Sequence, residues 1–548
     1  MTKVIKKLDK LFINGKIYTL EDEGVHTSAI GIKDGIVVET GNTEDLLAKY
    51  ESNEIIDLEG GVMLPGMGDS HMHMFAYCQT LTTVDLSGAT SKAEIIKRLS
   101  DKAKETPKGE WIKGSNFDQS KWIGDEDILP TKEDLDEASK EHKIVIKRVC
   151  LHTAVANSLA LKDAGITEGF VYGEGGTVEL NKDGSPNGVL REQATKIFDE
   201  IIPDPLNDKE TKMAIMEKAL KEASSLGVTM MHTYAANIWK YTENFEDYLE
   251  LDKVGKLPLR ITICLDEFFE KRYISKKEMA DPFRKVQYGS FKIFCDGSLG
   301  SRSAKLYEPY DDDKNTDGIL VISQEDLNNR VLEGYKMGLQ PAIHCIGDKG
   351  LDNVLTSIEY TLEQVKKEGM TDREINNKLP FRIIHAQMAT KELIERMSRL
   401  PVIVDMQPSF LITDMHWIED RVGKERAQGS YQWKTYKDAG IMLLGGSDCP
   451  VELFSPWEGI FAAVTRKDKN LYPDSGYNEA EKLSIYEGVC AFSKNIPYAN
   501  GEEDYIGTLE AGKFADMIVI DRDIFEREPE DILNVQVKET YLAGKKVF

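Results

Sequence analysis

The chain has 548 residues, 41% hydrophobic and 30% charged, and its 94 Asp and Glu outweigh 69 Lys and Arg for a net charge of −25. Such a chain can bury several cores without disulfides or metals and has no low-complexity tract, which excludes a disordered or fibrous protein. A field of that sign repels phosphate backbones and anionic bilayers, so neither nucleic acid nor membrane is an expected partner.

No apolar run reaches the ~18 residues of a membrane span. Residues 1–10 carry cations but no apolar secretion segment. Seven cysteines, none in a Cys-x-x-Cys pair, read as reduced thiols, so a cytoplasmic location is expected.

Taken in chain order, residues 11–19 read as strand, turn at Asn14-Gly15, and strand. Residues 29–38 repeat this around Asp34-Gly35. Residues 515–521 and 537–547 read as strands again, the second with a turn at Gly544. These ends predict a small β-sandwich assembled from both termini, residues 1–64 and 496–548. Between them lies a large α/β domain, residues 65–495.

Within it, short apolar strands are expected at 61–64 (running toward His71), 228–232, 259–265, 291–295, 340–344, 381–385, 402–406 and 441–445. Helical stretches are expected between them at 211–226, 323–337, 351–367 and 390–399. Eight alternating strands read as a (β/α)₈, TIM-like barrel. About 150 residues separate His73 from Val228, which predicts an insertion, at about residues 80–225, after the first barrel strand.

Only nine histidines occur, and four stand at the ends of expected barrel strands: His71, His73, His344 and His385. Residues i and i+2 of a strand share a face, so His71 and His73 can enter one cavity. Asp448 follows the eighth strand. Barrel sites are built at the C-terminal strand ends, where all five fall. Imidazole and carboxylate suit zinc, and manganese, iron or cobalt as well.

The ordered stretches Leu64-Pro-Gly-Met-Gly-Asp-Ser-His-Met-His73, Lys292-Ile-Phe-Cys-Asp-Gly-Ser-Leu-Gly-Ser-Arg302, Ile343-His-Cys-Ile-Gly-Asp348, Arg382-Ile-Ile-His-Ala-Gln387 and Gly446-Ser-Asp-Cys-Pro450 resemble the metal-dependent amidohydrolase superfamily. They look closest to its N-substituted formamide deformylase-like branch, amidohydrolase family 3. The resemblance implies a centre of two divalent metal ions held by His71, His73, Lys292, His344, His385 and Asp448. Lys292 would be carboxylated by carbon dioxide to a bridging carbamate, with Cys295 and Asp296 as the other candidates on that strand.

It further implies hydrolysis of a C–N bond, of an N-substituted formamide or related small-molecule amide, by activated water. Asp448 would accept the water's proton and pass it to the leaving nitrogen. The alternatives are a mononuclear deaminase or cyclic-amide hydrolase on the same scaffold, and a metal-free interaction protein. A homodimer is the base-rate expectation.

The remaining candidates each have a structural alternative. His152 and Asn157 match a branch stretch near the substrate but also suit a structural histidine and a helix cap. Glu192 matches a branch motif but also suits a solvated helix start. His232 could be a ligand or a hydrogen-bonded barrel histidine. Trp122, with Trp111 and Phe117, could line a pocket or fill a core. Asp348 is expected to orient a loop or a ligand histidine. Ile384, next to His385, is expected to face the helices. The glycines at 297–300 lack a phosphate-loop pattern and read as a tight loop.

Overall fold

Eight parallel strands form the central sheet in a computed structural model that describes residues 6–119, 122, 128–148, 152–173, 175–234, 245–265 and 284–548. In chain order they are Met67–Met72, Val228–Tyr234, Arg260–Leu265, Val286–Phe294, Pro341–Cys345, Phe381–His385, Val402–Met406 and Met442–Gly445. Each pairs with the next, and the Asp448 N–H donates to the His71 carbonyl at 2.7 Å, bringing the last strand back to the first. The (β/α)₈ barrel read from the apolar runs is therefore present. Strands such as Val402–Met406 are buried along their whole length, as both-face burial in a parallel barrel requires.

Helices wrap the outside. Asp348–Lys367 buries Leu351, Val354, Leu355 and Ile358, the three-to-four spacing of one helical face. Ser323 starts Gln324–Lys336 by accepting the Asp326 N–H on its side chain.

The barrel's first strand starts later than expected. Val62–Pro65 does not run into the barrel. It pairs in parallel with Lys16–Tyr18 and antiparallel with Met517–Ile520, inside a six-stranded sheet that also holds Val537–Leu542. A second, four-stranded sheet holds Lys6–Ile13, Ala29–Lys33, Ile36–Gly41 and Tyr50–Asp57. Phe12, Ile30, Met63, Met517 and Tyr541 pack in one core cluster of the two sheets. Asp34 and Gly35 both take positive φ, 51° and 78°, the geometry of a two-residue hairpin turn.

The chain divides into two compact units, residues 1–75 with 217–548, and residues 76–216. The second unit has its own six-stranded sheet, from Thr83–Asp85 to Gly176–Leu180, and its own core around Leu99, Phe117 and Ile146. Among the described residues no helix is long and apolar enough to cross a membrane. The six described cysteines are buried and unbridged; Cys150 lies outside the described residues.

Candidate metal centre

Parallel register sets the ligands side by side. Phe294 lies opposite His344 and Cys345 opposite His385, so the ends of strands four, five and six reach one level. His71 and His73 arrive from the first strand, their ring centroids 5.4 Å apart. Asp448 arrives after the eighth: its Oδ1 lies 3.3 Å from His71 Nε2 and 3.1 Å from His73 Nε2, and its Oδ2 lies 4.0 Å from His385 Nε2. One ligand atom from each of His71, His73 and Asp448 falls within 4.8 Å of the others. The His344 and His385 rings meet edge to face at 4.5 Å. Lys292 Nζ lies 3.2 Å from His71 Nε2, under the Tyr234 and Phe294 rings.

Backbone strain aims two of these groups. His385 and Asp448 have φ of 75° and 58°, a left-handed conformation that side chains seldom adopt. This corrects the expectation for Ile384. Arg382 and Ile384 both point into the barrel, where Ile384 packs on Tyr234, Cys264 and Ala342. Simple alternation would turn His385 outward; its left-handed backbone swings it inward beside Ile384. Close approach also demands Gly446, where a Cβ would stand 2.8 Å from the His71 nitrogen.

The surroundings set tautomers and charges. His73 Nδ1 donates to the Tyr234 carbonyl at 2.8 Å, and His385 Nδ1 to Gln407 Oε1 at 2.6 Å, which turns both Nε2 atoms toward Asp448. His344 donates its Nε2–H to the Gly297 carbonyl at 3.0 Å, which leaves Nδ1 free to bind. Burial, then the Lys292 ammonium, holds His71 well below the usual imidazole range and His344 down to about 3. Burial, then His344, does the same for His385.

Burial would raise Asp448, but His71 and His73 outweigh it and keep the carboxylate ionised, well below the usual range. Burial pushes Lys292 down to about 8 despite Asp448. Imidazole nitrogens gathered around an ionised carboxylate are the donor set that a divalent cation of the zinc kind takes. The described side chains therefore fit a metal.

Of the other strand-four candidates, Asp296 accepts the backbone N–H groups of Lys305, Ile346 and Gly347, and Cys295 turns to the Gly350 carbonyl. Asp348 accepts the Tyr307 N–H and holds the loop after strand four.

His232 lies in the barrel interior away from the ligand cluster, its Nδ1 accepting from Arg382 at 3.0 Å and its Nε2 3.2 Å from the Asn500 amide. Asn157, Trp122, His152 and Glu192 all belong to the second unit. Asn157 is fully buried and caps a helix: its carbonyl accepts the Ala160 and Ile144 N–H groups and its amide donates to the Ser139 and His142 carbonyls, which uses all its polar capacity inside the unit. Trp122 is 8% exposed and packs in that unit's core on Phe117. His152 and Glu192 are exposed and pair with each other at 2.9 Å.

The sequence reading passed over Arg382, Asp405, Gln407 and Tyr234. The signal was a charged residue inside an otherwise apolar barrel strand, Phe-Arg-Ile-Ile-His and Val-Ile-Val-Asp-Met.

The sequence profile of the amidohydrolase family matches residues 54–548, which contain every one of these candidate ligands. The chain belongs to the amidohydrolase family. It is 32% identical over 537 residues to YtcJ of Bacillus subtilis, covering 97% of this chain and 98% of that one. It is 24% identical over 555 residues to an N-substituted formamide deformylase of Arthrobacter pascens, covering 98% and 97%. In structure it resembles an uncharacterized metal-dependent hydrolase from Pyrococcus furiosus, with a TM-score of 0.71 and 28% identity over 94% of this chain and 100% of that chain.

Proposed function

We propose that this family member hydrolyses a C–N bond of a small amide, with N-substituted formamides as the first class to test. The observation that carries the reading is the convergence of His71, His73 and Asp448 within 4.8 Å at the barrel end where such sites are built. The resemblance to an N-substituted formamide deformylase supports the choice of amide class.

His71, His73 and Asp448 would hold one divalent cation, and His344 and His385 a second, zinc being the first candidate. Bound there, the metal supplies a polarised carbonyl and a water whose pKa falls from about 15.7 to about 7. Asp448 takes the proton of the attacking water and returns it to the leaving nitrogen. Phe410, stacked on His385 at 5.9 Å, and Phe294, 5.2 Å from His344, wall the site and exclude bulk water. Lys292, with its amine held near neutrality, adds carbon dioxide: the new N–C bond gives a carbamate anion and one released proton. That anion offsets the charge of two cations and supplies the ligand the pair would share.

The test is metal content by plasma mass spectrometry on protein purified without chelators, followed by a screen of N-formyl and N-acyl amines. Close to two equivalents per chain and release of formate or another carboxylate are expected. A chain that holds no metal, and gains no activity with zinc or manganese plus bicarbonate, overturns the reading.

A further inference from the structure

A fully buried ion pair stands in the barrel beside the ligands. Arg382 and Asp405 are both 0% exposed. Arg382 Nε donates to Asp405 Oδ2 at 2.9 Å and Nη2 to Oδ1 at 2.5 Å. Nη2 also donates to the Ser70 carbonyl at 2.8 Å, and Nη1 to His232 Nδ1 at 3.0 Å. One guanidinium thus ties strands six, seven, one and two. A buried ion pair contributes little net stability over a well-packed apolar pair, because desolvation offsets its attraction. Its position therefore calls for another reason.

That reason lies at His71. Among the ring nitrogens of His73, His344 and His385, each ring has one fixed by a carbonyl or amide oxygen. His71 Nδ1 is buried with no hydrogen-bond partner among the described residues. Beyond the contacts of Nε2 with Lys292 and Asp448, its imidazole is held through its backbone. The His71 N–H donates to Asp69 Oδ1 at 3.0 Å, and its carbonyl accepts the Asp448 N–H at 2.7 Å. The ladder slips at this point: Met231 faces Asp69 but Thr233 faces Met72, so the first strand bulges at Ser70 and His71. A bulge interrupts the regular ladder. Arg382 supplies a donor to Ser70 where that interruption falls.

We propose that Arg382 is a positioning residue for the metal ligands: clamped by Asp405 and His232, it fixes the Ser70 carbonyl and through it the His71 imidazole. Only a guanidinium has the planar fork to reach three partners on three strands at once; an ammonium is a single point of charge. His232 suits the arrangement, since a guanidinium only donates and Nδ1 must offer its lone pair. The inference rests on the metal reading of His71, His73 and Asp448.

The test compares wild-type protein with Arg382→Lys and Arg260→Lys. Arg260, at the opening of the third strand, forms another buried pair, with Asp516 at 2.7 Å. Zinc affinity is read by chelator competition, ligand geometry by the visible spectrum of the cobalt-loaded protein, and stability by Tm of the metal-free form. Arg382→Lys should bind zinc about tenfold or more weakly and change the cobalt spectrum. Arg260→Lys should lower Tm while leaving both metal readouts as in wild type.

Asp405→Asn, which removes the clamping charge but keeps an acceptor, is read in parallel, so a folding defect in the lysine variant does not decide the matter. Wild-type affinity and spectrum in the Arg382 and Asp405 variants, or equal changes in Arg260→Lys, overturn the inference. A wild-type protein that binds no zinc overturns the metal reading itself, before any variant is compared.

Discussion

Lys292 Nζ lies 3.2 Å from His71 Nε2, although 221 residues separate the two in the chain. An amine donates to an imidazole nitrogen in its charged or its neutral form. Burial takes the lysine to about 8, which makes that neutral form accessible near physiological pH. A neutral amine is also what adds carbon dioxide. Metal-loaded protein in carbon-13 bicarbonate should therefore show a carbamate carbon resonance that Lys292→Ala lacks. The alanine variant should hold fewer than two metal equivalents and lose activity by about 100-fold or more. Retention of both metals by Lys292→Ala would remove the carbamate from the proposal.

The proposed mechanism gives Asp448 two tasks that one substitution separates. As a ligand it needs an oxygen near His71 and His73; as a proton acceptor it needs a charge. Asp448→Asn keeps the oxygen 3.1 Å from His73 and loses the charge. Metal content should stay near the wild-type value while kcat falls about 10²- to 10⁴-fold. Wild-type turnover in this variant would assign the proton transfer elsewhere.

The barrel was legible because its strands are short apolar runs buried on both faces, which separate cleanly from helical stretches. Residues 61–64 misled for the same reason: Val62–Pro65 is as apolar as a barrel strand, and only its partner, Met517–Ile520, assigns it to the terminal sheet. The histidines and Asp448 were legible by position at strand ends. Ile384 was not, since strand alternation assumes extended backbone and His385 departs from it at φ 75°. Arg382 and Asp405 escaped because a charge in an apolar run has no visible partner until the strands are assembled. Asn157 and Trp122 matched a motif or an aromatic spacing, and both lie buried within the second unit.

The buried imidazoles make stability depend on pH in a way one variant can isolate. His344 is held down to about 3 from the usual 6.5 by burial and then by Lys292. The folded chain thus leaves it unprotonated where the unfolded chain takes a proton. Its contribution is intact above pH 6.5 and is lost as pH falls from 6.5 toward 3, at about 1.4 kcal/mol per pH unit. Asp69 and Asp296, each raised to about 7 by burial, carry the opposite sign, because the folded chain takes up their protons first. The total profile therefore mixes terms, and the difference between wild type and His344→Gln isolates one. In urea melts of metal-free protein, the stability of wild type relative to His344→Gln should decline by about 1.4 kcal/mol per unit between pH 6 and 4. A constant difference over that range would contradict the assignment of a neutral His344.

Gly446 offers a test of how tightly the eighth strand is set against the first. A Cβ there would stand 2.8 Å from the His71 nitrogen, 3.0 Å from its Cβ and 3.1 Å from its carbonyl oxygen. Two of these three are backbone atoms, which cannot rotate aside. The strain must be relieved by moving His71, or the turn that carries Asp448, whose N–H donates to the same His71 carbonyl at 2.7 Å. Gly446→Ala should cost about 1–3 kcal/mol, the usual range for an added methyl in a full interior. It should weaken zinc binding at the same time, since the displaced groups are the proposed ligands. Gly173→Ala is the comparison: no described residue lies within 4 Å of its added Cβ and its φ is not left-handed, so Tm and zinc affinity should both stay as they are. If Gly446→Ala lowered Tm but bound zinc as tightly as wild type, the strand ends could separate without disturbing the ligands. The backbone contact between His71 and Asp448 would then not be what holds the cluster together.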